Sequence, residues 1–162
     1  MKKIVFTEEF CRPENLFPFT LTRQIQDIRV GILTIREKWE RYLGLPSFDK
    51  NEGDYKDLDR AVRIDESLGE DPIYLIHGNI LPTAGLVRQV KKLKPGQCLT
   101  VPDRESIVYC ISQKEAAEPN RIRVTGAVES KAEFRELRYP WDIFQLNGWA
   151  IRQDFELLTK GR

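Results

Sequence analysis

At 162 residues, with 41% hydrophobic and 31% charged residues and a net charge of +1, the chain is long enough for one domain with a proper core and too short for two of ordinary size. That balance excludes a disordered chain or a polyelectrolyte and disfavours nucleic acid as a partner. No apolar run approaches the roughly 20 residues that cross a bilayer, and Met-Lys-Lys-Ile-Val-Phe turns acidic at Glu8 and Glu9 before a signal-peptide core can form, so a cytoplasmic chain with no membrane partner is expected.

In chain order, Lys3–Phe6 is a short apolar run suited to a buried first strand, followed by the loop Thr7–Leu16. Residues 15–42 read as a polar turn running into a long helix, because Ile25, Ile28, Ile32, Ile35, Trp39 and Tyr42 recur at spacings of three and four. Thr20, Thr22, Arg23 and Arg29 then fall at or near the helix start, where unpaired N–H groups and the positive end of the dipole could seat a phosphate or carboxylate. The same residues equally suit a capped helix with solvated arginines, and residue types alone favour that reading. Pro46–Asp59 is polar and reads as a surface excursion before a brief strand at Ala61–Ile64.

Pro72–His77 is the strongest strand, a continuous apolar run of the kind buried on both sheet faces, and it ends at Gly78-Asn79. A helix over Thr83–Leu93 has Thr83 as N-cap, an inner face of Leu86, Val87, Val90 and Leu93, and Lys94-Pro95-Gly96 as its stop. Lys91, Lys92 and Lys94 complement the end of that helix as a solvated cluster. Gln97–Val101 and Ser106–Ile111 are strands joined by a turn at Pro102-Asp103-Arg104-Glu105, and Arg121–Thr125 alternates as an edge strand does. The last helix runs from Trp141 to about Lys160, with Trp141, Phe144, Ile151, Phe155 and Leu158 on one stripe, Gly161 at C′, and Gly148 marking a kink. Strands alternating with helices predict a three-layer α/β domain with a mostly parallel sheet.

Cys11, Cys98 and Cys110 are widely spaced and contain no Cys-x-x-Cys pair, which suits free thiols better than disulfides or zinc. His77 is the only histidine and no Gly-x-Ser-x-Gly elbow accompanies it, so a triad hydrolase is disfavoured and His77 reads as a structural residue. Neither a Gly-x-x-x-x-Gly-Lys-Ser/Thr loop nor Gly-x-Gly-x-x-Gly is present, which removes the P-loop and dinucleotide fingerprints. Open α/β sheets bind ligands outside the carboxyl ends of their strands, and the loop after Phe6 and Gly78-Asn79 would face one crevice there.

Leu16-Phe-Pro-Phe-Thr-Leu-Thr-Arg23, Asp27-Ile-Arg-Val-Gly-Ile-Leu-Thr-Ile-Arg-Glu-Lys-Trp39, Tyr74-Leu-Ile-His-Gly-Asn-Ile-Leu-Pro82 and Tyr139-Pro-Trp-Asp-Ile-Phe144 together span almost the whole chain. In them the sequence resembles the nucleotidyltransferase domain of bacterial sugar-nucleotide pyrophosphorylases, specifically a divergent branch in which that domain precedes a left-handed β-helix of acyltransferase type. The resemblance implies a Rossmann-like α/β/α nucleotidyltransferase fold over residues 1–162, with the helix at 140–162 leading toward such a β-helix, and a homo-oligomer where that β-helix is present. It also implies transfer of a nucleotidyl group from a nucleoside triphosphate to a sugar 1-phosphate, with nucleotide sugar and pyrophosphate as products, and Mg2+ as a cofactor.

The family pattern is only partly matched. Pro18-Phe19-Thr20 corresponds to its Pro-Leu-Thr step, but Gln24 and Ile25 stand where it has proline and the phosphate-neutralising lysine, and Asn79 replaces the metal-holding Asp. Cys11-Arg12-Pro13-Glu14-Asn15 occupies the place of its glycine-rich turn without a glycine. The resulting assignment gives Arg23 and Arg29 catalytic roles and Thr20, Thr22, Gly78, Asn79 and Asp142 substrate contacts, with no metal ligand. Lys38 is a weaker candidate, expected to face solvent. The alternatives are a catalytically silent nucleotide-sugar-binding or assembly domain serving an attached acyltransferase module, and a small interaction module with no pocket.

Overall fold

A computed structural model of the chain describes residues 2–8, 11–50, 61–62, 72–102, 106–112, 115 and 124–160. The first strand, β1 (Ile4–Thr7), is fully buried. Beyond it the chain makes short 3-10 turns at Pro13–Leu16, Phe19–Leu21 and Ile25–Asp27, then a tight hairpin of β2 (Arg29–Val30) and β3 (Leu33–Thr34). Helix α1 (Ile35–Leu43) follows, then β4 (Ser47–Lys50), β5 (Ala61–Val62), β6 (Pro72–His77), β7 (Ile80–Leu81) and α2 (Ala84–Val90). The chain continues through β8 (Gln97–Thr100), β9 (Ser106–Ser112), β10 (Gly126–Glu129), β11 (Arg135–Glu136) and α3 (Pro140–Thr159).

Seven strands form one sheet in the order β10-β8-β9-β6-β1-β4-β5. β1 runs parallel to β4 and β6, β4 to β5, and β8 to β10, while β9 is antiparallel to both its neighbours. The registers Phe6↔Asp49 and Thr7↔His77 set the carboxyl ends of β1, β4 and β6 side by side. Alternation along the strands sends Ile4, Phe6, Tyr74 and Ile76 into the main core, where Trp39 of α1 and Leu86, Val87 and Val90 of α2 join them. Val5, Ile73, Leu75 and Ile111 form a second buried cluster on the other face. α1, α2 and α3 contribute no residue to it, and the mostly parallel mixed sheet with its flanking helices is that of the expected single-domain α/β nucleotidyltransferase-like fold.

The long helix expected from Ile25 onward does not form. Gly31 has φ +80 and opens the two-residue turn of the β2–β3 hairpin, a left-handed position that favours glycine. A Cβ there would also lie 2.8 Å from the Ala150 backbone and from the Asp154 carboxylate, because α3 presses on the turn. The apolar residues that suggested one helical face still reach the core at Ile25, Ile28 and Ile35, whereas Ile32 at the hairpin tip is exposed. Helix α1 starts only at Ile35, behind a capping box in which Thr34 accepts from Glu37 N and Glu37 accepts from Thr34 N, and it ends at left-handed Gly44. Thr20, Thr22, Arg23 and Arg29 therefore do not flank a helix start.

Three further expectations shift. Ser47–Lys50, expected in a surface excursion, is strand β4 beside β1, because Arg36 of α1 satisfies the buried Ser47 and Asp49 side chains. Val124 and Thr125 are not in a strand and β10 follows at Gly126–Glu129, while residues 121–123 of the expected edge strand fall outside the described residues, as do 51–60, 63–64, 103–105 of the expected turn and Gly161. Helix α3 continues through Gly148 without interruption. Cys98 and Cys110 are free and buried within β8 and β9, as expected of space-filling thiols. No described helix is long and apolar enough to cross a membrane.

Candidate functional site

A cleft of about 330 Å³ opens at the carboxyl ends of β1 and β6. Three segments build it. Cys11, Arg12 and Asn15 come from the loop after β1, His77 and Asn79 from the end of β6 and just beyond it, Glu136 from the end of β11, and Arg138 and Tyr139 from the segment leading into α3, over an apolar floor of Leu16, Ile25 and Leu137. Backbone bonds fix their spacing: Gly78 N donates to Thr7 O at 3.0 Å and Leu137 N to Asn79 O at 2.9 Å, while β11 pairs with β7. Gly78 is confined by the buried Gln26 amide, whose oxygen would lie 2.5 Å from any Cβ at that position. Gln26 is held in turn by Asp49, which accepts from its Nε2 at 2.8 Å.

The electrostatics of the cleft are set by burial. The Cys11 thiol, half-buried against the Gly78 and Asn79 amides, is pushed up to about 12 by desolvation and stays a thiol at neutral pH. Burial pushes His77 down to about 4, with Glu136 opposing, so the imidazole is neutral and contributes no cation. The cations of the cleft are Arg12, which is exposed, and Arg138, whose guanidinium meets the Glu136 carboxylate at 2.6 and 2.8 Å. Both remain accessible to an anion. Arg138 N and Tyr139 N each donate to Asp142 Oδ2 at 2.9 Å, which fixes the approach to α3.

The residues selected from sequence separate into groups. Asn79 lines the cleft, Gly78 lies between the lining residues His77 and Asn79 without lining it, and Asp142 stands behind it as the first-turn cap of α3. Thr20 donates to Pro13 O at 2.6 Å and so braces the loop that carries Arg12 and Asn15. Thr22 and Arg23 are exposed and do not line the cleft. Arg29 projects from β2, donates to Ile32 O and lies 3.7 Å from Glu37, away from the cleft wall. Lys38, expected to face solvent, is 3% exposed and meets both oxygens of the equally buried Asp154 at 2.6 Å. The physical reason is the hairpin: its tip docks on α3, where Asp154 also accepts from Ile32 N and Leu33 N, and Lys38 neutralises that carboxylate.

Arg12, Asn15, Glu136, Arg138 and Tyr139 line the cleft without having been singled out by the sequence as site residues. The first two occupy the loop after β1, and the last two directly precede Pro140 at the start of a helix, where their backbone N–H groups are taken up by Asp142 and only their side chains face the cleft. For a hard cation the cleft offers one carboxylate, Glu136, already engaged by Arg138, beside the Asn79 amide; these donors do not make a magnesium site. Among the described residues no group of three His, Cys, Asp or Glu side chains is arranged to hold a metal. A family model described as sugar nucleotidyl transferase matches residues 4–162 of the chain. No curated protein matches it.

Proposed function

The chain belongs to the sugar nucleotidyl transferase family, and from that membership we propose that it transfers a nucleotidyl group from a nucleoside triphosphate to a sugar 1-phosphate in the cleft between β1, β6 and α3. A phosphate oxygen of the sugar 1-phosphate attacks the α-phosphorus, the bond from that phosphorus to the bridging oxygen breaks, and pyrophosphate carries away the electron pair. Such a displacement needs charge neutralisation and alignment more than a strong base. Arg12 and Arg138 supply the positive charge, Asn79 and Asn15 supply neutral hydrogen-bonding groups, and neutral His77 leaves the charge balance to the arginines.

The observation that carries this reading is the convergence of Arg12 and Arg138 from separate segments on one open cleft at the carboxyl ends of β1 and β6. Arg23 and Arg29 lie outside the cleft lining and contribute less in this reading. One observation favours a second reading, in which the domain binds a nucleotide sugar without turnover: Glu136 is engaged by Arg138 and Asn79 stands where the family pattern has a carboxylate, so the metal-assisted part of the chemistry lacks its ligands. Pyrophosphate release, measured across a panel of nucleoside triphosphates and sugar 1-phosphates with and without Mg2+, separates the two. Release that falls at least about 100-fold in Arg138→Ala supports transfer, since one lost charge-stabilising contact costs about that much. Nucleotide-sugar binding with no release across the panel supports the silent domain.

A further inference from the structure

Tyr139 occupies the position just ahead of α3 where a short polar side chain ordinarily caps a helix. Here the capping is done from inside the helix. Asp142 Oδ2 accepts from the backbone N–H groups of Arg138 and Tyr139 at 2.9 Å, and Asp142 N donates back to Tyr139 O at 3.0 Å. Pro140 disfavours helical backbone at the residue before it, and Tyr139 is accordingly extended, at φ −135 and ψ 157. The cap position is thereby free to carry an aromatic ring, on a backbone held from both sides.

The ring is braced as well. Trp141 lies nearly parallel to it, with a centroid distance of 4.7 Å and an interplanar angle of 9°. One face of Tyr139 is covered by that indole, yet Tyr139 is still 41% exposed and lines the cleft, so the surface left to it is its other face and its edge. The same cleft offers the apolar floor of Leu16, Ile25 and Leu137 and, one residue back, the Arg138 side chain. A fixed ring, backed by a second ring and sharing a cleft with an apolar floor and a cation, suits a flat aromatic group that carries phosphate. A polyhydroxylated ring suits it less, because its hydroxyls need polar partners, and Asn15, Asn79 and Glu136, which can serve them, come from other parts of the lining. On the reading that the cleft takes a nucleotide, we propose that Tyr139, backed by Trp141, is the platform on which the nucleobase stacks, with the phosphates directed to Arg138 and Arg12. Stacking uses the face that every base has, so the platform selects for the presence of a base and not for which base it is.

Calorimetric titration of the 162-residue chain with ATP, GTP, CTP and UTP tests this, with inorganic tripolyphosphate and glucose 1-phosphate as ligands that lack a base, all at one Mg2+ concentration. The wild type should bind each nucleoside triphosphate more tightly than tripolyphosphate. Tyr139→Ala should weaken the nucleoside triphosphates at least about 5-fold, the low end of what a stacked base is worth, and leave tripolyphosphate within about 2-fold. Tyr139→Phe, which keeps the ring, should restore most of the lost affinity. Trp141→Ala, which removes only the backing ring, should give a smaller loss of the same base-dependent kind. A mere distortion of the approach to α3 would instead displace Arg138 and weaken tripolyphosphate equally. Equal losses for both ligand types in Tyr139→Ala, a wild type that binds nucleoside triphosphates no more tightly than tripolyphosphate, or a loss confined to glucose 1-phosphate would each overturn the platform while leaving the phosphate seat at Arg12 and Arg138 in place. Absence of binding by every ligand would overturn the nucleotide reading of the cleft, and the platform with it.

Discussion

The charged groups of the molecule are of two opposite kinds, buried around α1 and open at the cleft. Under α1, Arg36 is 1% exposed and donates to Asp27 at 2.7 and 3.2 Å, to Asp49 at 2.5 Å and to Ser47 at 3.0 Å, with its guanidinium over the Phe6 ring. Two residues on, Lys38 is sealed against Asp154. Burial pulls the Lys38 ammonium below its usual range, with Asp154 opposing, and lifts the Asp49 carboxyl, with Arg36 opposing. At the cleft, by contrast, Arg12 is exposed and Arg138 shares one carboxylate while remaining half open. Charge closed on itself organises the fold, and only charge left partly open is available to a ligand.

The difference can be broken from the buried side first. Asp154→Ala leaves Lys38 as an uncompensated buried charge and strips the hairpin N–H groups of their acceptor, so chemical denaturation should show a loss of about 3–5 kcal/mol. His77 marks the boundary between the two regions. Its folded pKa of about 4 lies below the unfolded 6.5, so the unfolded chain binds the extra proton and stability falls as pH drops from about 6.5 to 4. The full effect approaches about 3 kcal/mol at the acid end. Glu8 and Asp49, whose carboxyls burial holds above their usual range, act in the opposite direction at the acid end of that window. The diagnostic is therefore the difference between the wild-type and His77→Gln stability curves, which should shrink toward pH 4.

Smaller effects sharpen the same contrast at the cleft. Asp142→Ala removes the acceptor for two backbone N–H groups and should cost about 1 kcal/mol, the usual worth of a helix cap. Arg138→Ala breaks only a solvent-screened pair, so its thermal midpoint should correspond to a change of less than about 1 kcal/mol. If Arg138→Ala instead unfolded the chain as Asp154→Ala does, the distinction between the clusters would fail.

Local signals carried the sheet and the last helix. Pro72–His77 is legible because a strand buried on both faces needs a continuous apolar run, and α3 because twenty residues give its period room to show. The β2–β3 hairpin is ambiguous for a physical reason: Ile25, Ile28 and Ile35 satisfy a helical spacing and are buried in either arrangement. The discriminating cue is Gly31 between β-branched Val30 and Ile32, since glycine inside a helix costs about 1 kcal/mol. Strand β4 hides behind polar Ser47 and Asp49, which are interior only because Arg36 reaches them, and Lys38 looks solvated because its partner is 116 residues away. The same limit applies to the cleft. Gly78-Asn79 announces itself at a strand end, but Arg12 and Arg138 come to line one cleft only once β1, β6 and α3 are in place.

The assignment of the ligand site rests on Arg12 and Arg138 rather than on Arg23 and Arg29. Titration with a nucleoside triphosphate, read by calorimetry on Arg12→Ala/Arg138→Ala and on Arg23→Ala/Arg29→Ala, tests it directly. The cleft pair of substitutions should weaken binding at least about 100-fold, as two lost charge-assisted contacts require, while the second pair stays within a few-fold of wild type. Undiminished binding in the first double variant together with its loss in the second would place the ligand elsewhere and contradict the assignment.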